Sequence, residues 1–306
     1  MAFLTAQTLW PALRAQTRYA LQCGALQPIE TALSHLHESG VRFAVRQVSS
    51  LARKEAARRT DAPTASGSGG SNAARSNPFL PYEPDLCVGE LSPTHVALLN
   101  KYNVIEDHLL IVTRRFVPQT ALLDQADFEA LLVALGAQGS GGALGFYNGG
   151  EEAGASQPHK HLQAVPLPLD ATGPAAPVEA LFGAVHVQDG VGCVRGLPFA
   201  HAFAPLDLTT GDAAPALLQT YRRLLHAAGI GAIDVDGVAH QGAPYNLLVT
   251  RRWMLVVPRT AERVEGISLN ALGFAGSLFV RDAHQLDTLA RIGPMTALTR
   301  VARPRC

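Results

Sequence analysis

The alternation of apolar and polar residues outlines most of the chain's elements before any chemistry is considered. Residues 1–40 read as helical, with Leu9, Leu13, Tyr19 and Leu21 lending an apolar side before Gly24. Residues 41–51 (VRFAVRQVSSL) switch to a period of two, the pattern of a half-buried strand. From Thr64 to Asn77 the chain runs TASGSGGSNAARSN, where nothing can anchor a core, and a flexible loop is expected. Val96–Leu99 and Leu109–Thr113 are apolar runs separated by a polar turn, expected to pair as antiparallel neighbours. Helical spacing returns at Phe128, Leu131, Leu132 and Leu135, opened by Asp127 and closed by Gly136. Ala143–Tyr147 and His161–Val165 are the next strands.

The second half echoes this order. Pro215 opens a helix with Leu217, Leu218, Tyr221, Leu224 and Leu225 on one face, and Gly229 closes it. Tyr245–Thr250 and Trp253–Pro258 are apolar strands. The pieces HLLIVTRR (108–115) and NLLVTRRW (246–253) share their spacing, which suggests a duplicated strand-pair unit. The pattern is that of an α+β chain with two related halves.

Composition narrows the class. Hydrophobic residues make up 47% of the 306 and charged residues 16%, a globular composition, and no apolar run reaches the roughly 18 residues needed to span a membrane. The N-terminus lacks a basic lead and an uninterrupted apolar core, so no signal peptide is expected. The formal net charge is zero, which argues against a general nucleic-acid binder. Cys23, Cys87, Cys193 and Cys306 are scattered singly without metal-ligand spacing, as in a reducing cytosol, so a cytoplasmic location is expected. Only three of the 25 basic residues are lysines, Lys54, Lys101 and Lys160, and these mark places where a compact ammonium matters.

The densest polar stretch is NGGEEAGASQPHKHLQAVPLPL, residues 148–169. On a strand, His159, His161 and Gln163 share one face, and Lys160 and Leu162 the other. The small residues upstream let backbone N–H groups approach an anion closely. An HxH pair is a common two-ligand metal fragment, but glutamine is a poor third ligand. Alternatively, a neutral imidazole attacks phosphorus to give a phosphoimidazole, with a neighbouring carbonyl holding the second ring nitrogen's proton and the amide of Gln163 donating to a non-bridging oxygen. The plain reading is a pair of hydrogen-bonded strand histidines, and spacing alone leaves all three open.

QPHKHLQ preceded by FYNGGEEAGAS resembles the HxHxQ signature of the diadenosine tetraphosphate phosphorylases, or ATP adenylyltransferases. These are a transferase branch of the histidine-triad superfamily, related to galactose-1-phosphate uridylyltransferase. NPFLPYEPDL (77–86), LLNKYNVIEDHLLIVT (98–113), LPFAHAF (197–203), APYNLLVTRRWMLVVPR (243–259) and LNALGFAGSLFVRD (269–282) look like blocks of that family in the same order.

The resemblance implies a histidine-triad-like α+β fold of antiparallel sheets flanked by helices. Residues 1–185 would form an N-terminal half carrying the motif, and 186–306 a C-terminal adenylyltransferase half. It implies that His161 is the nucleophile, that His159 orients the site and supports charge around the transferred group, and that Gln163 holds a non-bridging oxygen. It also implies nucleotide contacts from Asn100, Lys101, Asn148, Gly154, Ala155, Ser156 and Gln157. Lys54 would meet the polyphosphate, and Asn270, Gly276 and Arg281 the far end.

The implied reaction is phosphorolysis of diadenosine tetraphosphate to ATP and ADP, and its reverse, with ADP-sulfurylase activity on the side. Mg²⁺ or another divalent cation would accompany the nucleotide, with no structural metal. The expected partners are small-molecule nucleotides, not nucleic acid or membrane, and the expected state is a monomer or homodimer.

Two alternatives share the motif or the fold: a hexose-1-phosphate uridylyltransferase, against which the absence of any CxxC counts, and a non-catalytic nucleotide-binding protein. The chain departs from the family pattern at Pro158, Ala155, Arg251, Arg252 and Arg281. Ala155 can offer only its backbone, and the arginines stand where relatives often carry lysine. Outside the motif, His201, Trp10 and Trp253 read as structural, Glu151 and Glu152 as an exposed acidic turn, and Phe274 as a candidate ring-stacking contact.

Overall fold

The computed structural model describes residues 2–48, 77–136, 142–208 and 213–305. Lys54 and residues 64–76 of the expected loop lie outside the described residues. The chain begins with helix α1 (Leu9–Gln22) and the hairpin β1 (Thr31–Glu38) and β2 (Val41–Val48). It continues through β3 (Cys87–Glu90), β4 (His95–Leu99), β5 (Leu109–Thr113), α2 (Gln125–Leu135), β6 (Ala143–Gly149) and β7 (His161–Pro166). There follow β8 (Val185–Gln188), β9 (Val191–Val194), β10 (Ala202–Pro205), α3 (Ala213–Ala227), the hairpin β11 (Ala232–Val235) and β12 (Val238–Gln241), β13 (Tyr245–Val249) and β14 (Trp253–Pro258). The chain closes with β15 (Arg263–Val264), β16 (Ile267–Ser268), α4 (Ala271–Ala275), β17 (Ser277–Val280), α5 (Ala283–Ile292) and α6 (Pro294–Val301). Among the described residues no helix is long and apolar enough to cross a membrane.

Ten strands form one sheet in the order β3-β4-β5-β7-β6-β13-β14-β10-β9-β8. Read inward from either end, the pattern is the same: three successive strands, then the last strand of the unit, then the one before it. Two five-stranded units therefore meet back to back at the antiparallel pair β6·β13. Asn148 stands directly opposite Asn246 there, and a local twofold through that pair exchanges Tyr147-Asn148 with Tyr245-Asn246. The repeat is thus real but not where the sequence suggested it. HLLIVTRR lies on β5 and NLLVTRRW on β13, strands that do not correspond, because topology matches β13 to β6.

Residues 31–38, expected to be helical, are a strand paired in full with β2. Ser39 and Gly40, both with positive φ, make the tight turn between them. Tyr19 and Leu21 also depart from expectation: each is close to half exposed, and Leu9, Trp10, Leu13 and Ala20 carry the buried side of α1 instead. Helix α2 is opened by Asp124, which caps the Asp127 N–H while the Asp127 side chain reaches back to the Asp124 N–H, a reciprocal capping box.

The two faces of the sheet differ. One packs against α1, α2 and α3 through a core including Trp10, Leu131, Tyr221 and Met254. On the other face, the C-terminal unit is covered by α4, α6 and the small sheet β1-β2-β17. That small sheet takes β17 in parallel with β2, so it crosses the boundary expected near residue 185. In the N-terminal unit, Leu144, Phe146 and Val165 of β6 and β7 join the core under that cover, whereas the outer strands carry a small separate apolar cluster, Phe79, Val96, Leu98, Leu110 and Val112. A cleft remains beside it.

Candidate active site

Strand alternation separates the motif as expected. Before β7 begins, the backbone at His159 and Lys160 is held by residues 117–119, with Lys160 N–H donating to Val117 O (2.7 Å) and Gln119 N–H to Pro158 O (2.7 Å). Lys160 then points to the helical face, where its Nζ donates to Asp127 Oδ2 (2.8 Å) and Leu122 O (2.9 Å). Asp127 Oδ1 also meets His95 Nε2 at 3.0 Å. Burial pushes the Asp127 carboxyl up, but the hydrogen bonds and charge from His95 and Lys160 outweigh it and hold the group below its usual range. This buried trio ties the motif to α2 and stands apart from the cleft.

On the cleft side, each imidazole is fixed in one tautomer. His161 Nδ1 lies 2.8 Å from His159 O. A carbonyl only accepts, so Nδ1 carries the proton and Nε2 keeps its lone pair. Burial pulls the His161 pKa down to about 4, partly opposed by that carbonyl, so the ring is neutral at physiological pH. His159 is fully buried and uses both nitrogens on the protein. Its Nε2 donates to Thr113 O (2.8 Å) and Arg115 O (3.1 Å), and its Nδ1 accepts from Asn77 Nδ2 (3.0 Å). Burial lowers its pKa as well. A pair so committed cannot chelate a metal through both rings, and His159 lines neither cavity described below, standing behind His161 with its carbonyl on the His161 ring.

Gln163 is oriented by a residue the sequence reading passed over. His108 Nε2 lies 2.9 Å from Gln163 Oε1, and Asn100 Nδ2 lies 3.2 Å from His108 Nδ1. The relay runs from amide to imidazole to amide oxygen, leaving the Gln163 NH₂ without a protein acceptor among the described residues. His108 is kept neutral by burial, which lowers its pKa to about 4, and because Asn100 Oδ1 accepts from the Tyr102 N–H, the Asn100 amide nitrogen is turned to His108 Nδ1 and Nε2 donates to Gln163. Its one sequence signal was a histidine at the head of the apolar run 109–113. Gln119, also unanticipated, is a buried amide inserted where β6 and β7 part: Oε1 accepts from His161 N–H (2.8 Å) and Nε2 donates to Asn148 O (2.9 Å).

Two cavities meet at Ser156 and Gln157. One of about 340 Å³ joins the apolar wall Phe79, Tyr82, Leu98 and Leu110 to Asn100, Lys101, His161 and Gln163. The other, of about 520 Å³, is bordered by Phe116, Gln119, Thr120, Glu151 and Ala155. An apolar slot that ends on an unprotonated imidazole nitrogen and two amides, opening past a glycine turn into a wider space, suits a base, its phosphate and a further polyphosphate in series. Lys101 stands at the mouth, its Nζ 2.7 Å from Glu83 Oε1.

Several expected contacts fall elsewhere. Asn148 is buried at the dyad, where its Oδ1 accepts from Asn246 Nδ2 (2.8 Å) and Ala271 N–H (3.0 Å), so it holds the halves together and lines neither cavity. Gly154 shapes the turn from behind. Asn270 caps α4 by accepting from Leu272 N–H. Gly276 ends α4 in a left-handed conformation with no room for a Cβ beside Pro177. Arg281 is exposed at the start of α5. None of these three reaches either cavity. Phe274 is a core residue and not a base-stacking one. His201 is structural, accepting from Val194 N–H and donating to Phe199 O. Arg114 pairs with Glu90, and Arg252 with Glu179. Among the described residues no group of three or more His, Cys, Asp or Glu is placed to hold a metal ion.

The C-terminal unit carries no second copy of this centre. Outward from the dyad, Pro244 takes the place of Phe146, and Arg259, whose N–H donates to Pro244 O, takes that of Gln163. Val257 then stands where His161 does, under the apolar cover of α4 and α6.

Known proteins share both the sequence blocks and the fold of this chain. The Ap4A phosphorylase N-terminal domain matches residues 1–184, and the ATP adenylyltransferase C-terminal domain residues 195–304. Diadenosine 5',5'''-P1,P4-tetraphosphate phosphorylase 2 of Saccharomyces cerevisiae is 29% identical over 243 residues, 72% of this chain and 73% of that protein. The fold is shared with the crystal structure of yeast Ap4A phosphorylase Apa2, at a TM-score of 0.77 and 24% identity over 97% of this chain and 95% of that one. The Apa2 structure in complex with Ap4A gives a TM-score of 0.74 at 21% identity, over 98% of each chain.

Proposed function

Because this chain belongs to the Ap4A phosphorylase family, we propose that its cleft transfers AMP between a dinucleoside polyphosphate and phosphate by way of His161. Nε2 attacks the α-phosphorus of diadenosine tetraphosphate. A P–N bond forms, the bridging P–O bond breaks, and ATP leaves. Inorganic phosphate then attacks the same phosphorus, ADP departs, and the imidazole returns to its neutral state. The steps run backward to make the dinucleotide from ATP and ADP.

One observation carries this reading: His161 Nδ1 is tied to His159 O, so the ring offers a single, unprotonated nitrogen to the cavity. While AMP is attached the ring is cationic, and the same carbonyl stabilises its N–H. The Gln163 amide donates to a non-bridging oxygen as charge develops there. It has no proton to give a leaving group, which favours transfer to an incoming phosphate over hydrolysis, and a polyphosphate leaves without one. Asn100, Lys101, Ser156 and Gln157 hold the chain of phosphates in line for attack. A divalent cation such as Mg²⁺ arrives with the polyphosphate as part of the substrate. An adenylate with sulfate on its α-phosphorus presents the same bond to break, which accounts for an ADP-sulfurylase side reaction.

The test is incubation with diadenosine tetraphosphate, with and without phosphate, followed by mass measurement of products and protein. Wild type should gain one AMP on His161 without phosphate and release ATP and ADP with it, and His161→Asn should do neither. Phosphate-dependent ATP and ADP from His161→Asn would end the covalent reading.

A further inference from the structure

Among the described residues, two buried cations lie near the cleft, and one of them lacks a counterion. Lys160 is paired with Asp127. Arg259 is 3% exposed and has no carboxylate within ion-pair distance among the described residues. Its donors go to neutral acceptors: Nε to Val301 O (3.1 Å), Nη1 to Asn246 Oδ1 (2.5 Å) and Ala153 O (3.4 Å), and Nη2 to Ala261 O (2.7 Å) and Leu269 O (2.9 Å). The guanidinium also lies over the Phe274 ring, 5.3 Å from its centroid.

Two of those acceptors flank a single tight contact. Gly154, at φ +89°, packs so closely that a Cβ there would stand 2.9 Å from the Asn270 Cβ and 3.1 Å from Leu269 O. Arg259 binds the carbonyl on each side of it, Ala153 and Leu269, and Asn246 adds a 2.8 Å bond from Nδ2 to Ala153 O. Ser156 and Gln157, which border both cavities, follow directly on this seat.

We propose that Arg259 is a positioning residue for nucleotide phosphates: its planar fork clamps the 153–154 turn to Leu269 and so sets where Ser156 and Gln157 meet the phosphate chain. This rests on the reading of the cleft as a nucleotide site. The position that orients an oxygen in the N-terminal unit, Gln163, has its counterpart here in a residue that braces the same site from behind. Only a guanidinium spans these acceptors, since an ammonium has three donors at one point.

The experiment compares calorimetric affinities for ADP, whose phosphates would lie along the turn, and adenosine, which needs only the apolar slot. Arg259→Lys should weaken ADP by about tenfold and leave adenosine within about twofold, the size expected of a displaced but intact site. Arg259→Met should weaken ADP further. Gly154→Ala, which wedges the same contact open with Arg259 in place, should show the same selectivity for ADP. Unchanged ADP affinity in Arg259→Lys, a parallel fall in both ligands, or a Gly154→Ala protein that binds ADP normally would each overturn the proposal. Should an arginine variant fail to fold, Gly154→Ala decides alone. Wild-type protein that binds neither ligand would instead remove the nucleotide reading of the cleft.

Discussion

Lowering the pH distinguishes the nucleophile proposed at His161 from an ordinary histidine. Burial brings His161 from 6.5 down to about 4. At pH 5, an imidazole titrating near 6.5 is neutral in about 3% of molecules, and one titrating near 4 in about 90%, a difference of about thirtyfold in available nucleophile. The assay is a rapid-quench measurement of protein adenylylation at saturating diadenosine tetraphosphate between pH 7.5 and 5. The rate at pH 5 should stay within about twofold of its neutral value. A thirtyfold fall, with circular dichroism showing the chain still folded, would refute the buried, neutral nucleophile.

The same depression makes the fold acid-sensitive. Between 6.5 and about 4 the unfolded chain takes up a proton that the folded ring refuses, so stability is complete above 6.5, falls across that window and levels off below it. At about 1.4 kcal/mol per pH unit the His161 share is about 3 kcal/mol. Urea unfolding of His161→Asn should show that much less acid dependence than wild type.

Other substitutions test the remaining geometry. Lys160→Met strips the buried Asp127 of its lysine, leaving only His95 and the Asp124 N–H, and should cost about 3–5 kcal/mol in urea unfolding with little change in KM. Lys101→Ala, at the half-exposed mouth of the cleft, should do the reverse, raising KM several-fold with no shift in Tm. His108→Phe frees the Gln163 amide to turn and should lower kcat by about tenfold at unchanged KM in steady-state assays. Gln163→Glu puts a carboxylate where a donor is needed and should slow adenylylation by about 10²-fold or more in single-turnover measurements.

The sequence carried the strand alternation well, because a half-buried strand must repeat every two residues whatever it packs against. That one constraint sends Lys160 to the helical face and His161 to the cleft. It also makes 41–48 a strand. Its partner 31–38 was misread because an edge strand with residues such as the half-exposed Leu33 has no clean buried side. The Ser39-Gly40 turn was the available clue. The repeat was misplaced for a related reason: apolar strands resemble one another, whereas the true echo, Tyr147-Asn148 and Tyr245-Asn246, is two residues long.

Within the site, His161, Gln163, Ser156 and Gln157 were legible from one short motif. His108, Gln119 and Phe79 were not, since they come from other segments and matter only for what they touch once the sheet is assembled. Asn148, Asn270 and Gly276 lie outside both cavities for the opposite reason. Each occurs in a family-like block, but its polar group or missing Cβ serves the joint between units and the ends of α4.

The asymmetry between the two units has a kinetic consequence. One has an open cleft with His161, and the other has Val257 under a packed cover in the corresponding place. Among the described residues a single chain therefore offers no second centre of this kind with which the first could communicate. Turnover by isolated chains should be strictly non-cooperative, and any sigmoidal response to substrate would have to originate in contacts between molecules.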